Sequence, residues 1–300
     1  MTVNLDGIFV PVITPFEEDG RLSLSLLENN IRKLNDTGVA GYMPLGSNGE
    51  FFMMSEEEQL EVMKTAVQAS EGKKVFAGAG RESLYETEKC IEKMAGLGID
   101  AVFLLTPHYF PKQMSQECLT EYYLEAADVS PVPVLLYSAP GYAAGVQLEP
   151  ETVRRLGAHE NIIGLKDTSP LEIREYTEAV KGENCGILAG TFGKFVKGMA
   201  QGAVGGVLSS ANYIPEICCQ LYQLCKDGEY EKAEKIHKKL EALAKGTTAP
   251  YGVAGVKAAM NFLGYSCGSP RKPLKPVPTE DREEFEKRLK AGLEAVLQEV

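Results

Sequence analysis

Eight short apolar segments recur along the first two-thirds of this chain, and they constrain its fold more than any other feature. Each is too short and too continuously apolar to be an amphipathic helix. Such segments are typical of parallel strands whose sheet is covered by helices. The eight segments begin near Gly7, Ala40, Lys74, Ala101, Val132, Ile162, Gly186 and Gly205.

Helical patterns lie between these segments. Leu24, Leu27, Ile31 and Leu34 recur at intervals of three or four, which predicts one buried helix face. Two capping boxes, Ser55 to Glu58 and Ser83 to Glu86, predict the starts of two further helices. A regular alternation of eight strands with helices predicts an α/β fold, specifically a (β/α)₈ TIM barrel.

The pattern changes in the last quarter of the chain, where only helical periodicity is found. We predict a barrel domain over residues 1–228 that carries the active site, and a C-terminal helical domain over residues 229–300. A proline-rich connector, residues 268–278, precedes the last helix. The apolar positions predicted to be buried in the two main helices are Ala233, Ile236, Leu240 and Leu243, and Phe285, Leu289, Leu293 and Val296.

Lys166 is a single amine at the end of the sixth predicted strand, which spans Ile162 to Leu165. Ser169 is predicted to cap the next helix, with Glu172 closing a capping box. A lysine beside an apolar core is desolvated, which favours its neutral and nucleophilic form. Lys166 is therefore a candidate for Schiff-base chemistry. The competing interpretation is a lysine that extends along the barrel rim into water.

Other polar groups follow the neighbouring strands, at the end of a barrel where active sites form. The loop from Gly46 to Glu50 brings glycines, a hydroxyl and an amide in front of a helix, and it predicts a carboxylate-binding turn. A tight turn without a ligand would use the same residues. Tyr137 ends the fifth strand and could transfer protons, or simply pack its ring and hydrogen-bond its hydroxyl.

Composition excludes several functional classes. A formal net charge of −11 argues against nucleic-acid binding and against docking on an anionic membrane. An odd number of cysteines without a CxxC pair, together with an N-terminus unlike a signal peptide, predicts a reduced, cytoplasmic protein. Scattered histidines predict no metal site, and the segment from Gly78 lacks the third glycine of a dinucleotide fingerprint.

Motifs along nearly the whole chain resemble those of the dihydrodipicolinate synthase and N-acetylneuraminate lyase superfamily. They are the Thr-Pro-Phe start at 14–16, GSNGE at 46–50, TPHYF at 106–110, LYSAP at 136–140, GLKD at 164–167, LAG at 188–190 and GAVGGV at 202–207. The resemblance implies class I pyruvate chemistry on a barrel with a C-terminal helical extension. It also implies a homotetramer or homodimer and no cofactor other than the covalent lysine imine.

The resemblance also implies roles for individual residues. Lys166 would form the imine with a 2-oxo acid, Tyr137 would shuttle protons, and Ser47 would supply the relay hydroxyl. Tyr109 matches an aromatic residue that a neighbouring subunit contributes in the synthases. The residues expected to surround the substrate are Gly46, Asn48, Gly190 and Leu208.

The substrate is indicated by two departures from the synthase pattern. Ser47-Asn48 stands where synthases have a threonine pair, and the segment 140–145 lacks the arginine that grips the aldehyde's carboxylate. The motifs are most similar to those of 4-hydroxy-2-oxoglutarate aldolases, which cleave their substrate to pyruvate and glyoxylate. Tyr142 and Ala143 would shape the distal pocket. The alternatives are dihydrodipicolinate synthase, a 2-keto-3-deoxy sugar-acid aldolase or dehydratase, and, more remotely, a non-catalytic 2-oxo-acid sensor.

Overall fold

Eight parallel strands close into a barrel in the computed structural model, which describes residues 3–299. They follow one another in chain order, and the first strand pairs with both the second and the eighth. Each begins within two residues of its predicted start, so the (β/α)₈ barrel is confirmed. The strands are β1 Gly7–Val10, β2 Gly41–Tyr42, β3 Lys74–Gly78, β4 Ala101–Leu105, β5 Val134–Ser138, β6 Ile162–Asp167, β7 Gly186–Ala189 and β8 Gly205–Val207.

Eight helices within residues 3–299 surround this sheet. Both faces of the strands are therefore removed from water, which explains why their sequences are apolar rather than alternating. The Ser55 capping box is complete, whereas the Ser83 side chain accepts the Glu86 N–H without a reciprocal bond. The helices are α1 Leu24–Asn35, α2 Glu56–Ala69, α3 Leu84–Ala95, α4 Gln116–Val129, α5 Pro150–Gly157, α6 Ile173–Ala179, α7 Phe195–Ala200 and α8 Pro215–Lys226.

Three more helices follow: α9 (Tyr230–Gly246), α10 (Val253–Phe262) and α11 (Thr279–Leu297). The predicted apolar faces of α9 and α11 are buried, except that Leu293 is half-buried. The two helices approach closely at Gly292, where an added Cβ would lie 2.4 Å from a methyl group of Leu243. The predicted domain boundary falls between α8 and α9 and stays a prediction. Within residues 3–299, no helix combines the length and apolarity needed to cross a bilayer.

The segment after Lys166 differs from the prediction. β6 continues to Asp167, and α6 begins only at Ile173, where Glu172 is the N-cap in a capping box with Glu175. The Ser169 hydroxyl instead accepts the Leu171 N–H at 3.3 Å. The Lys194 ammonium donates to the main-chain oxygens of Ser169 (2.9 Å) and Leu171 (2.5 Å). Lys194 thus binds the carbonyls of the irregular segment that precedes α6.

Candidate active site

Lys166 projects into the barrel because of its register. It lies opposite Tyr137 of β5 and Leu188 of β7. A register shift in β5 and β6 places Gly164 and Lys166 on the inner side. Glycine is required at 164, where an added Cβ would lie 2.2 Å from the Gly186 carbonyl oxygen. The amine therefore enters the mouth from a tightly packed strand pair.

The surroundings of the Lys166 amine are aromatic. Nζ lies 4.0 Å from the centroid of the Tyr137 ring and 5.6 Å from that of Phe103. The side chain is only 3% exposed, and burial lowers its pKa from 10.5 to about 7. Burial is the one cause of this shift, and no charged group of the described residues opposes it. Near neutral pH a large fraction of Lys166 is therefore nucleophilic.

Asp167 directly follows Lys166 in the chain, but its carboxylate does not pair with the Lys166 amine. Strand alternation turns its fully buried carboxylate to the outer side of the barrel, where it pairs with Lys194. The Ser169 N–H donates to the same carboxylate at 2.9 Å. β6 thus carries the Lys166 amine on its inner side and the Asp167 carboxylate, which pairs with Lys194, on its outer side.

Tyr137 supplies a phenol beside the amine. It is 3% exposed, and burial raises its pKa to about 12, an effect that polar interaction with the Ser47 hydroxyl opposes. The pKa of Tyr142 is raised by burial and by the nearby Tyr137, and Ser47 opposes this shift too. Both phenols are therefore protonated at neutral pH, and each can donate a hydrogen bond as well as accept one.

The loop from Gly46 to Glu50 is a tight turn that places Ser47 and Asn48 at the mouth. The N–H groups of Gly49 (3.0 Å) and Phe51 (3.4 Å) both donate to the Gly46 oxygen. The Asn48 amide donates to the Ser209 hydroxyl at 2.6 Å, which links this loop to the end of β8. These N–H groups of Gly49 and Phe51 close the turn itself, and Ser47 and Asn48 line the cavity at the mouth.

A buried ion pair supports this loop from behind. Glu50, in the left-handed region with φ 54°, pairs with Lys257 of α10 at 2.6 Å, and each side chain is only 1% exposed. The main-chain N–H of Arg271 donates to the same carboxylate at 2.8 Å. The Arg271 guanidinium forms a bidentate pair with Glu58 at 2.7 and 2.5 Å. The C-terminal part of the chain is thereby attached to the mouth by charged groups.

The mouth contains a cavity of about 290 Å³, which is the candidate catalytic cavity. Lys166 is the only lysine or arginine among the described residues that line it. An adjoining apolar lobe of about 330 Å³ shares Ser47, Asn48, Tyr137 and Tyr142 and contains no lysine or arginine in its described lining. The polar residues around the catalytic cavity are Ser47, Asn48, Tyr137, Tyr142, Lys166, Thr168, Thr191, Ser209, Ser210, Tyr213 and Thr248.

Most of the predicted site residues meet in these spaces. Gly190 lines the catalytic cavity and Gly46 lines the apolar lobe. The Leu208 side chain does not line either space. It is fully buried in the layer between strands and helices, and Val207 faces the cavity in its place because successive strand residues alternate sides.

Tyr109 lies apart from the site of its own chain. It is 73% exposed, and its ring packs edge-to-face against Phe110 at 4.9 Å. Its N–H donates to the Glu82 carboxylate at 2.7 Å. A contribution of Tyr109 to a neighbouring subunit stays a prediction.

Several lining residues were missed in the sequence. Thr168 directly follows strand β6, so the rule that selected Lys166 would have found it. Phe103 follows from the alternation of β4. Gly252 and Val253 line both spaces from the start of α10, and no local pattern indicates this long-range contact.

Known proteins similar to this chain point to one family. Residues 4–292 match the model of the dihydrodipicolinate synthetase family. A 4-hydroxy-tetrahydrodipicolinate synthase from Methanothrix thermoacetophila is 31% identical over 277 residues, which cover 92% of each chain. The solved structure of that enzyme from Methylacidiphilum fumariolicum superposes with a TM-score of 0.88, at 28% identity and 99% coverage of both chains.

A second solved structure was determined in complex with pyruvate. It is YagE, a prophage protein of the dihydrodipicolinic acid synthase family from E. coli K12, with a TM-score of 0.89 and 26% identity. The match covers 97% of this chain and 99% of YagE.

Proposed function

The chain belongs to the dihydrodipicolinate synthetase family and is a class I pyruvate-dependent lyase, and from this premise we propose that Lys166 forms its imine. Enzymes of this family bind pyruvate as a Schiff base on a lysine and use no external cofactor. The observation that carries the assignment is the buried Lys166 amine, with a pKa of about 7, inside a cavity that it shares with Tyr137. A neutral amine can attack a ketone carbon, whereas an ammonium cannot.

The proposed cleavage begins with attack of the Lys166 amine on C2 of a 4-hydroxy-2-oxo acid. Loss of water then leaves a protonated imine. The C4 hydroxyl gives its proton to the Tyr137 oxygen while Tyr137 passes its own proton to Ser47, and Ser47 releases its hydroxyl proton to solvent. The electron pair of the C3–C4 bond forms a C2–C3 double bond, while the π pair of the imine moves onto nitrogen and neutralises its positive charge. The products are an aldehyde and an enamine, which is protonated at C3 and hydrolysed to pyruvate and the free Lys166 amine.

The substrate that we propose is 4-hydroxy-2-oxoglutarate, cleaved to pyruvate and glyoxylate. A carboxylate at the distal end would meet neutral donors, because Lys166 is the only cation in the described lining of the two spaces. The loop that would carry a gripping arginine has Tyr142 in its middle. The distal carboxylate of 4-hydroxy-2-oxoglutarate is attached directly to C4, whereas the carboxylate of aspartate semialdehyde lies further from the reacting carbon, where the synthases use an arginine. Loss of that charged hydrogen bond typically costs about 1.5–3 kcal/mol and disfavours aspartate semialdehyde.

A second candidate is 4-hydroxy-tetrahydrodipicolinate synthase, which condenses pyruvate with aspartate semialdehyde. The names of the similar relatives favour it. A 2-keto-3-deoxy sugar-acid aldolase or dehydratase would use the same imine. A non-catalytic sensor would need neither a nucleophilic amine nor a neighbouring phenol.

Two experiments test the proposal in sequence. Borohydride reduction in the presence of pyruvate is expected to add one pyruvate-derived mass to the wild-type chain and none to Lys166→Ala. Turnover is then compared for 4-hydroxy-2-oxoglutarate, aspartate semialdehyde with pyruvate, and 2-keto-3-deoxy sugar acids. An unmodified wild-type chain would exclude the imine. Preferential turnover of aspartate semialdehyde would replace the proposed substrate by the second candidate, and trapping without any turnover would indicate the sensor.

A further inference from the structure

We propose that Asn212 is a positioning residue, which holds the loop from Gly46 to Glu50 in the geometry that binds the carboxylate of a 2-oxo acid. Asn212 ends the short 3₁₀ helix Ser209–Asn212 that follows β8, and its side chain is fully buried. It does not line either space of the mouth, so it acts through other residues. The inference rests on the proposed function, because it concerns how the loop receives pyruvate.

The Asn212 amide joins the first and last strands where the barrel closes. Its Nδ2 atom donates to the Pro11 oxygen at 3.0 Å and to the Ser209 oxygen at 3.1 Å. Its Oδ1 atom accepts the Ile13 N–H at 3.3 Å. Both N–H donors and the carbonyl acceptor of the amide are therefore used. Since Pro11 and Ile13 follow β1 and Ser209 follows β8, Asn212 fixes these two segments relative to each other.

A first connection runs from Asn212 through Ser209 to the loop. The Ser209 hydroxyl accepts one N–H of the Asn48 amide at 2.6 Å, and this is the only hydrogen bond of the Asn48 side chain within residues 3–299. An amide nitrogen carries two N–H donors. The second Asn48 N–H therefore remains for a ligand in the catalytic cavity, which Asn48 and Ser209 both line.

A second connection runs through the segment after β1. Thr14 directly follows Ile13 in the chain, and its buried hydroxyl donates to the Gly49 oxygen at 2.8 Å. The loop also packs closely on this segment, because an added Cβ at Gly49 would lie 3.1 Å from the Val12 oxygen. The two connections start at Asn212 and end at successive residues of the loop, Asn48 and Gly49.

A loop that is fixed before the ligand arrives loses little conformational freedom when it binds. Without the Asn212 donors, the segments that carry Ser209 and Thr14 are no longer joined, and the loop loses its fixed position. Lys166 and Tyr137 lie on β6 and β5 and keep their own strand pairing. The affinity for pyruvate should therefore fall, whereas the reactive amine should remain in place.

The test measures borohydride trapping as a function of pyruvate concentration. Asn212→Asp keeps the shape and the Oδ1 acceptor of the side chain and removes the NH₂ group. The pyruvate concentration for half-maximal trapping is expected to rise about tenfold, the usual effect of losing a hydrogen bond to a charged group. Trapping at saturating pyruvate should still reach one adduct per chain.

The two connections are tested by separate variants. Thr14→Val removes the hydroxyl and should raise the half-maximal concentration, while Thr14→Ser keeps the hydroxyl and should stay near the wild-type value. Ser209→Ala should also raise it. Asn212→Asp combined with Ser209→Ala should have less than the summed effect, because both changes act on Asn48.

Asn30 provides a matched control, because it is a buried amide of α1 that is 2% exposed. It donates to the Ser266 oxygen at 2.9 Å and accepts the Ser266 N–H at 3.1 Å. Asn30 lines neither space of the mouth. Asn30→Asp should lower the free energy of unfolding and leave the half-maximal pyruvate concentration unchanged.

The outcomes distinguish this inference from the proposed function. A wild-type half-maximal concentration in Asn212→Asp would overturn the inference, and so would an equal rise in Asn30→Asp. If Asn212→Asp does not fold, the Thr14 pair decides, and equal values for Thr14→Val and Thr14→Ser would contradict the inference. If the wild-type protein does not trap pyruvate at any concentration, the proposed function itself fails.

Discussion

Two buried lysines, one in the barrel mouth and one behind it, lie in different electrostatic environments. Lys166 is 3% exposed and faces two aromatic rings, and burial lowers its pKa to about 7. Lys257 is 1% exposed and lies over the Phe16 ring at 4.5 Å, but it also pairs with Glu50 and donates to the Ser269 oxygen at 3.0 Å. Burial lowers its pKa too, while Glu50 opposes that change.

The difference separates a reactive amine from a structural one. Removing an amine from water favours the neutral form, and a carboxylate at close range favours the charged form. Lys166 experiences only the first effect, whereas Lys257 experiences both. An acidic partner, rather than burial itself, thus distinguishes the lysine that supports the mouth from the lysine that we propose as the nucleophile.

Replacement of each lysine by methionine tests most directly which of the two amines reacts with pyruvate. Lys166→Met is expected to abolish pyruvate trapping and to reduce turnover by roughly 10⁴-fold or more, because no other amine lines the described cavity. Lys257→Met should still trap one pyruvate per chain. Borohydride reduction followed by mass spectrometry, at a temperature where both variants are folded, measures the contrast. Loss of trapping in Lys257→Met alone would reverse the assignment.

The structural role of Lys257 predicts the next largest effect. Lys257→Met leaves Glu50 buried without its partner, which typically costs about 3–5 kcal/mol of unfolding free energy. Lys257→Met combined with Glu50→Gln removes both charges and should recover most of this loss. Urea unfolding compares the variants.

Lys245 provides a surface control for that measurement. Its pair with Glu241 is 3.2 Å long and its side chain is 70% exposed, so Lys245→Met should change the unfolding free energy by less than about 1 kcal/mol. Equal destabilisation by Lys245→Met and Lys257→Met would argue against a special role for the buried pair.

Giving Lys166 an acidic neighbour should make it more similar to Lys257. Its pKa is depressed, so the amine loses its proton as pH rises through about 7, and imine formation should accelerate to a plateau above that pH. Phe103→Glu places a carboxylate beside the amine and should raise this pKa. Each unit of increase lowers the neutral fraction at acidic pH about tenfold.

The pH dependence of pyruvate trapping measures this shift, with Phe103→Gln as the uncharged control. Phe103→Glu should be slower than Phe103→Gln near pH 6, and the two should converge at high pH. Identical profiles would show that a carboxylate at this position does not influence the amine.

The strand positions and Lys166 were predictable because both depend on local sequence patterns. Buried parallel strands are short and apolar, and a barrel places the residues at their ends together. The start of α6 was not predictable from Ser169, because Lys194 binds the carbonyl groups of that segment from a distant part of the chain. Leu208 was predicted to line the cavity, but Val207 does so. Which of two successive strand residues faces inward depends on the strand register, and a shift of one residue exchanges them.

The sequence by itself determined the barrel, the strand ends and one lysine among their polar residues, because hydrophobic periodicity is a local property. Only the tertiary structure decided which lysine has a carboxylate partner and which does not. Glu50 and Lys257 are far apart in the chain and meet only when α10 packs against the mouth. Electrostatic interaction depends on distance and burial in space, so the pKa of each amine is settled only after folding.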